Sequence, residues 1–179
     1  MKISDGKRFF TIFLLLGFLI GILYANLFAE EYIISSGILN DYFLSQYSQI
    51  EIEAEKYLWY LIRLRFFSIV CVGALGCSRL KKPVVAGVLL WTGFSGGILM
   101  TSAVMKIGVK GIFLCLAGLL PHFLCYVAVY LVVLWYLLQY PHGRWNMTKT
   151  VYCVLLMLLG ILMECYINPV LLKMFIRML

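Results

Sequence analysis

Five apolar stretches, each about as long as a bilayer is thick, limit what this chain can fold into. A helical span needs about 20 such residues. The stretches cover residues 9–29, 57–77, 83–105, 112–140 and 150–168. Hydrocarbon offers no hydrogen bonds, so backbone groups at that depth must pair within their own segment, which selects helices. The sequence therefore predicts an all-α polytopic membrane helical bundle, with about five transmembrane helices in a single domain over residues 1–179. Composition agrees, at 64% hydrophobic and 13% charged, against about 45–50% and about 25% in soluble domains.

The borders of these stretches carry their own signals. Lys2, Lys7 and Arg8 precede the first. A cleaved signal peptide would have an apolar region of only about 7–15 residues and a small-x-small site. Leu27-Phe28-Ala29 is a poor site, so an uncleaved anchor is expected. Residues 30–56 form the long polar loop, where Glu30, Glu31, Asp41, Glu51, Glu53 and Glu55 stand against Lys56 alone. Ser48-Gln49-Ile50-Glu51 fits a capping box, which starts a helix by satisfying orphan amides. A helix from Gln49 to Cys77 would be roughly 43 Å long and would project its acidic first turns into water. Pro121 interrupts the fourth stretch. At the end of the fifth, Asn168 suits an N-cap and Pro169 the first position of a short C-terminal amphipathic helix. Lys173 and Arg177 share the polar side of that helix.

The formal net charge of +7 is explained by membrane orientation and does not call for nucleic acid. Basic residues collect at cytoplasmic loops. One side of the bundle receives Lys2, Lys7, Arg8, Arg79, Lys81, Lys82, Arg144 and Lys149. The other receives Lys56, Lys106, Lys110, Lys173 and Arg177, with every loop acid except Asp5. The N-terminus is thus expected in the cytoplasm, and loop 30–56 and the C-terminus outside the membrane.

Inside the spans, polar residues are few. Glu164 follows a charge-free run from Val151 to Met163, and a carboxylate at a span centre costs about 2.5–3.5 kcal/mol on insertion scales. Arg63 and Arg65 lie in the second span. Arg63 sits roughly 9 Å from Tyr57, and Glu164 about 6 Å from Asn168, so both fall on the outer leaflet. Two positions apart, the arginines point to nearly opposite helix faces, so one pairs with Glu164 while the other snorkels. Such a pair can fix helix register, serve a partner, or relay protons. His122 follows Pro121, where a freed carbonyl favours a kink with a polar neighbour. It reads as a histidine bonded to a neighbouring helix or as a polar centre in a cavity. Gly17-x-x-x-Gly21 and Gly93-x-x-x-Gly97, with Gly96 beside the latter, suit close helix approach, and Gly160 clears space beside Glu164. The six cysteines read as small buried hydrophobes without metal spacing. No catalytic or cofactor motif appears: there is no Ser-x-x-Lys, no H-E-x-x-H and no glycine-rich phosphate loop. An enzyme is not expected, and neither is a cofactor.

Four segments carry a family resemblance: Gly17-x-x-x-Gly21 with Ala25-Asn26-Leu27; Thr92-Gly93-Phe94-Ser95-Gly96-Gly97; Gly108-Val109-Lys110-Gly111 with Leu119-Leu120-Pro121-His122; and Met163-Glu164-Cys165-Tyr166-Ile167-Asn168-Pro169. In this order they resemble the stage II sporulation protein M family of small five-span bacterial membrane proteins. The last is similar to that family's Glu-x-Tyr-x-x-Pro signature. Phe123 stands where the family often has a polar residue, and the Arg79-Leu80-Lys81-Lys82 turn is unusually basic, which leaves room for a paralogue with another role. The resemblance implies a non-enzymatic scaffold of the cell membrane in endospore engulfment. It would hold extracytoplasmic cell-wall hydrolases resembling stage II sporulation proteins D and P. From its charge pattern, this chain's candidate surface for them is Glu51, Glu53 and Glu55 beside Lys173 and Arg177. The rival expectation is a transporter component, a small permease or the partner of an ATPase, with Pro121, His122 and Glu164 lining a polar route.

Overall fold

A computed structural model describes residues 3–28, 54–78, 80–140, 143 and 145–178. The described chain is helical: α1 (Ile3–Leu27), α2 (Ala54–Gly76), α3 (Lys81–Ile107), α4 (Val109–Gln139), α5 (Met147–Leu162), a π-helical turn (Met163–Ile167) and α6 (Asn168–Met178). Among the described residues, five helical stretches are long and apolar enough to cross a membrane, the last running through the π turn from Met147 to Phe175. The capping box at Ser48–Glu51 and most of the acidic loop lie outside the described residues.

α1 shows how the molecule is turned out for lipid. Its buried positions include Gly17, Gly21 and Ala25, while Ile12, Leu15, Leu19 and Leu23 are each at least half exposed. Water would reverse that pattern. In hydrocarbon, large side chains gain nothing by leaving the lipid, and small faces let backbones approach. Gly17 and Gly21 lie against the backbone of Leu90 and Phe94 in α3, and Gly93 and Gly97 lie against the backbone around Leu14 and Phe18. Residue numbers rise together on both sides, so α1 and α3 run parallel. The two glycine pairs therefore pack on each other within the chain. Gly96 does not take part: a Cβ there would only touch Phe18 Cδ2 at 3.9 Å.

The α3–α4 connection is short because Gly108 adopts φ 68° and ψ −149°, a region open to glycine alone. Its N–H bonds Val104 O at 2.9 Å, and its carbonyl accepts from Gly111 N at 2.9 Å. α4 then forms the central post. Its buried Tyr126, Val129, Val133, Leu134 and Leu137 meet Leu61 of α2, Val85 and Leu89 of α3, and Cys153, Met157 and Ile161 of α5. At the end with the basic loops, Lys81 Nζ donates to Tyr140 O, and the rings of Tyr136 and Trp145 lie 4.8 Å apart.

Three expectations need correction. α4 continues through Pro121 without a break. Asn168 does not cap a new helix: it has helical dihedrals (φ −59°, ψ −46°), and its N–H bonds Met163 O, five residues back. Pro169 cannot donate to the carbonyl four residues before it and its ring crowds that carbonyl. The widened turn just upstream takes up this misfit, so the helix runs on. Third, the cysteines are not uniformly buried: Cys77 is exposed, Cys71 and Cys125 half-buried, and Cys115, Cys153 and Cys165 buried, and none is in a disulfide.

The glycine contacts are directly testable. Gly17→Leu and Gly93→Leu should each lower the unfolding free energy in bicelles by at least about 1–3 kcal/mol, the usual cost of overpacking. Gly96→Ala should stay within about 0.5 kcal/mol of the parent.

Candidate functional site

Three helices converge on Glu164, which is 7% exposed. Arg65 of α2 donates from Nε to Oε2 at 3.1 Å and from Nη2 to Oε1 at 2.5 Å. Tyr126 of α4 donates its hydroxyl to Oε2 at 2.5 Å. The Arg65 guanidinium also lies over the Tyr126 ring, 4.6 Å from its centroid, a cation–π contact that strengthens where water is excluded. The carboxylate thus receives a forked guanidinium on both oxygens and a phenol on one. Charge-assisted bidentate pairing of this kind is the strongest ordinary polar contact a side chain can make.

Local sequence sets up each partner. Gly160 lies one turn before Glu164, and a Cβ there would come within 2.8 Å of Tyr126 Cε1 and 3.2 Å of Cys125 Cβ. The tyrosine ring reaches the acid because that position has no side chain. The π turn carries Glu164 itself. Because the fifth helical stretch continues past Asn168, the acid is deeper than the sequence suggested. It lies about 16 Å from Phe175 and about 25 Å from Met147 along the helix, while Arg65 lies about 15 Å from Glu55. The pair sits near the middle of the apolar span.

His122 is 5% exposed, one turn before Tyr126, with ring centroids 5.8 Å apart in an edge-on arrangement. The expected hydrogen bond from His122 to a neighbouring helix is absent: Nδ1 is buried without a partner among the described residues, and so is Oδ1 of Asn168. α4 runs antiparallel to the final helical stretch, with Gly118 against Leu172 and Tyr126 against Glu164. Counting four residues from either contact places His122 and Asn168 at one level. Two orphaned polar atoms therefore adjoin the satisfied triad.

The remaining anticipated residues divide. Arg63 is exposed on the far side of α2, so the choice between the arginines falls to Arg65. Tyr166 is 53% exposed and outside the cluster. Pro121 and Pro169 are backbone features flanking it. Glu55 is exposed and Lys173 half-buried. Glu51, Glu53 and the Arg177 side chain lie outside the described residues. Tyr126 is the residue that sequence reasoning missed. Its signal was the run His122, Tyr126 and Tyr130 at four-residue spacing, a polar-tipped face on an otherwise apolar helix. Among the described residues no group of His, Cys, Asp and Glu is placed to hold a metal ion.

No family model matches this chain, and no curated protein or solved structure does either.

Removing one member of a buried ion pair leaves an uncompensated charge and costs about 3–5 kcal/mol. Arg65→Met should destabilise the bundle by an amount near that range in reversible unfolding, and Glu164→Gln should also destabilise it. The double variant should recover at least about 1 kcal/mol relative to additivity. Arg63→Met combined with Glu164→Gln should be additive.

Proposed function

We propose that this chain is a non-enzymatic integral membrane scaffold of the stage II sporulation protein M type. It holds cell-wall remodelling proteins at the outer face of the cell membrane. The observation that carries the reading is closure of the polar cluster: Arg65, Glu164 and Tyr126 satisfy one another. A cluster closed in this way fixes the register of α2, α4 and α5 and presents no row of free charges along a route. Ionisable groups within a bilayer face the bundle interior and pair with one another. The resemblance in four segments supplies the biological setting.

In this reading the five spans form a polytopic bundle with its N-terminus in the cytoplasm. The loop 30–56 and the C-terminus lie outside, a placement supported by the distribution of Lys and Arg. Glu51, Glu53 and Glu55, with Lys173 and Arg177, then belong to one external surface, where charge pattern governs encounter and choice of partner. A second reading, the membrane component of a transporter, rests on the unpartnered His122 Nδ1 and Asn168 Oδ1. Polar atoms left open at depth are the kind of group that a passing solute would use.

Gentle-detergent pull-down from sporulating cells, read by mass spectrometry at matched abundance, separates the two. Secreted peptidoglycan hydrolases in the eluate are the expected result, with capture reduced severalfold by Glu51→Lys combined with Glu55→Lys and preserved in His122→Leu. A cytosolic ATPase in the eluate, together with loss of activity in His122→Leu, would overturn the scaffold.

A further inference from the structure

Arg63 is a charge within an apolar span that the polar cluster does not absorb. It is exposed on α2 and makes no ion pair or hydrogen bond with a described residue. The apolar stretch it belongs to runs from Glu55 to Gly76. Arg63 lies about 12 Å from the first of these residues and about 20 Å from the last. Trp59, Tyr60, Phe67 and Val70 share its face at helical spacing, and each is at least 60% exposed.

The two directions along that face differ. Toward Gly76 come Phe67 and Val70, which carry no hydrogen-bond acceptor. Toward Glu55, one turn away, come Trp59 and Tyr60, ring types that settle at headgroup depth. Side chains of an α-helix lean toward its N-terminus, so the long Arg63 chain runs toward those rings and the nearer headgroups. A guanidinium in hydrocarbon is costly without an anion. Lipid phosphates are the anions at that level, and the guanidinium fork matches two phosphate oxygens. A second copy of this chain is a poor occupant. A two-fold interface through this face would set Arg63 against its own copy at equal depth, where like charges repel.

We propose that Arg63 is a binding site for the phosphate of one phospholipid in the leaflet at the N-terminal end of α2. The phosphate sits at the level of Trp59 and Tyr60 and accepts from both arms of the guanidinium. α2 is then pinned from two sides: Arg65 ties one face to Glu164, and Arg63 ties the opposite face to lipid.

Carbon–phosphorus dephasing in solid-state NMR tests the site, using the full chain in bilayers of phosphatidylglycerol and phosphatidylethanolamine with arginine labelled at Cζ. Arg63→Lys keeps the charge and lacks the guanidinium carbon, so its difference from the parent isolates the Arg63 signal. That signal should lose most of its intensity under phosphorus dephasing. In bilayers of a phosphate-free glycosyl diacylglycerol the dephasing should vanish, and inorganic phosphate added to the buffer should not restore it. An Arg63 signal that keeps its intensity in the phospholipid bilayers would overturn the proposal, the result expected if a partner's carboxylate takes the guanidinium. Restoration by inorganic phosphate would overturn it in favour of a free anion. Helix content and monodisperse elution establish folding. If Arg63→Lys does not fold, Arg63→Gln gives the same subtraction.

Discussion

A carboxylate in the middle of an apolar span cannot stand alone, and the packing of this molecule around Glu164 follows from that. Water is absent at that depth, so the charge is stable only if its partners arrive with it. They come from two other helices, α2 with Arg65 and α4 with Tyr126. The acid therefore links three segments distant in sequence. Buried ion pairs often add little net stability over a well-packed apolar alternative. Their effect here is selective: a helix rotated or shifted by one position would leave a charge in hydrocarbon.

Two kinds of contact hold the bundle. α1 and α3 associate through glycine-faced backbones, a contact made of close van der Waals approach. α2, α4 and α5 associate around the polar cluster and the apolar side chains above it. α3 and α4 join the two halves through the tight turn at Gly108. The π turn belongs to the second kind. Pro169 disturbs the ladder, and the extra residue per turn is taken up where Glu164 meets its partners. Unwinding the helix there would leave carbonyls unpaired in lipid, which costs more than widening one turn.

Much of the architecture was legible because bilayer thickness sets a length that sequence displays. The third and fourth stretches, read as 83–105 and 112–140, became Lys81–Ile107 and Val109–Gln139. The glycine pairs were legible for a similar reason, since a four-residue repeat fixes one helix face. What local signals could not resolve was competition with tertiary context. Asn168-Pro169 has the chemistry of a helix start, yet it lies in a continuing helix. Arg63 and Arg65 are equivalent in the sequence until the position of α5 is known. Tyr126 read as one more aromatic residue in an apolar run, because the space that admits it comes from Gly160 on another helix.

The central claim is that Arg65, and not Arg63, holds Glu164 within the apolar span. Isotope-edited infrared spectroscopy of the protein in lipid bilayers addresses it directly, with the Glu164 signal isolated as the difference between the parent and Glu164→Gln. The pairing predicts that the Glu164 signal shifts when Arg65 is replaced by Met and stays in place when Arg63 is. A Glu164 signal unchanged by loss of Arg65, or shifted equally by loss of Arg63, would contradict the account.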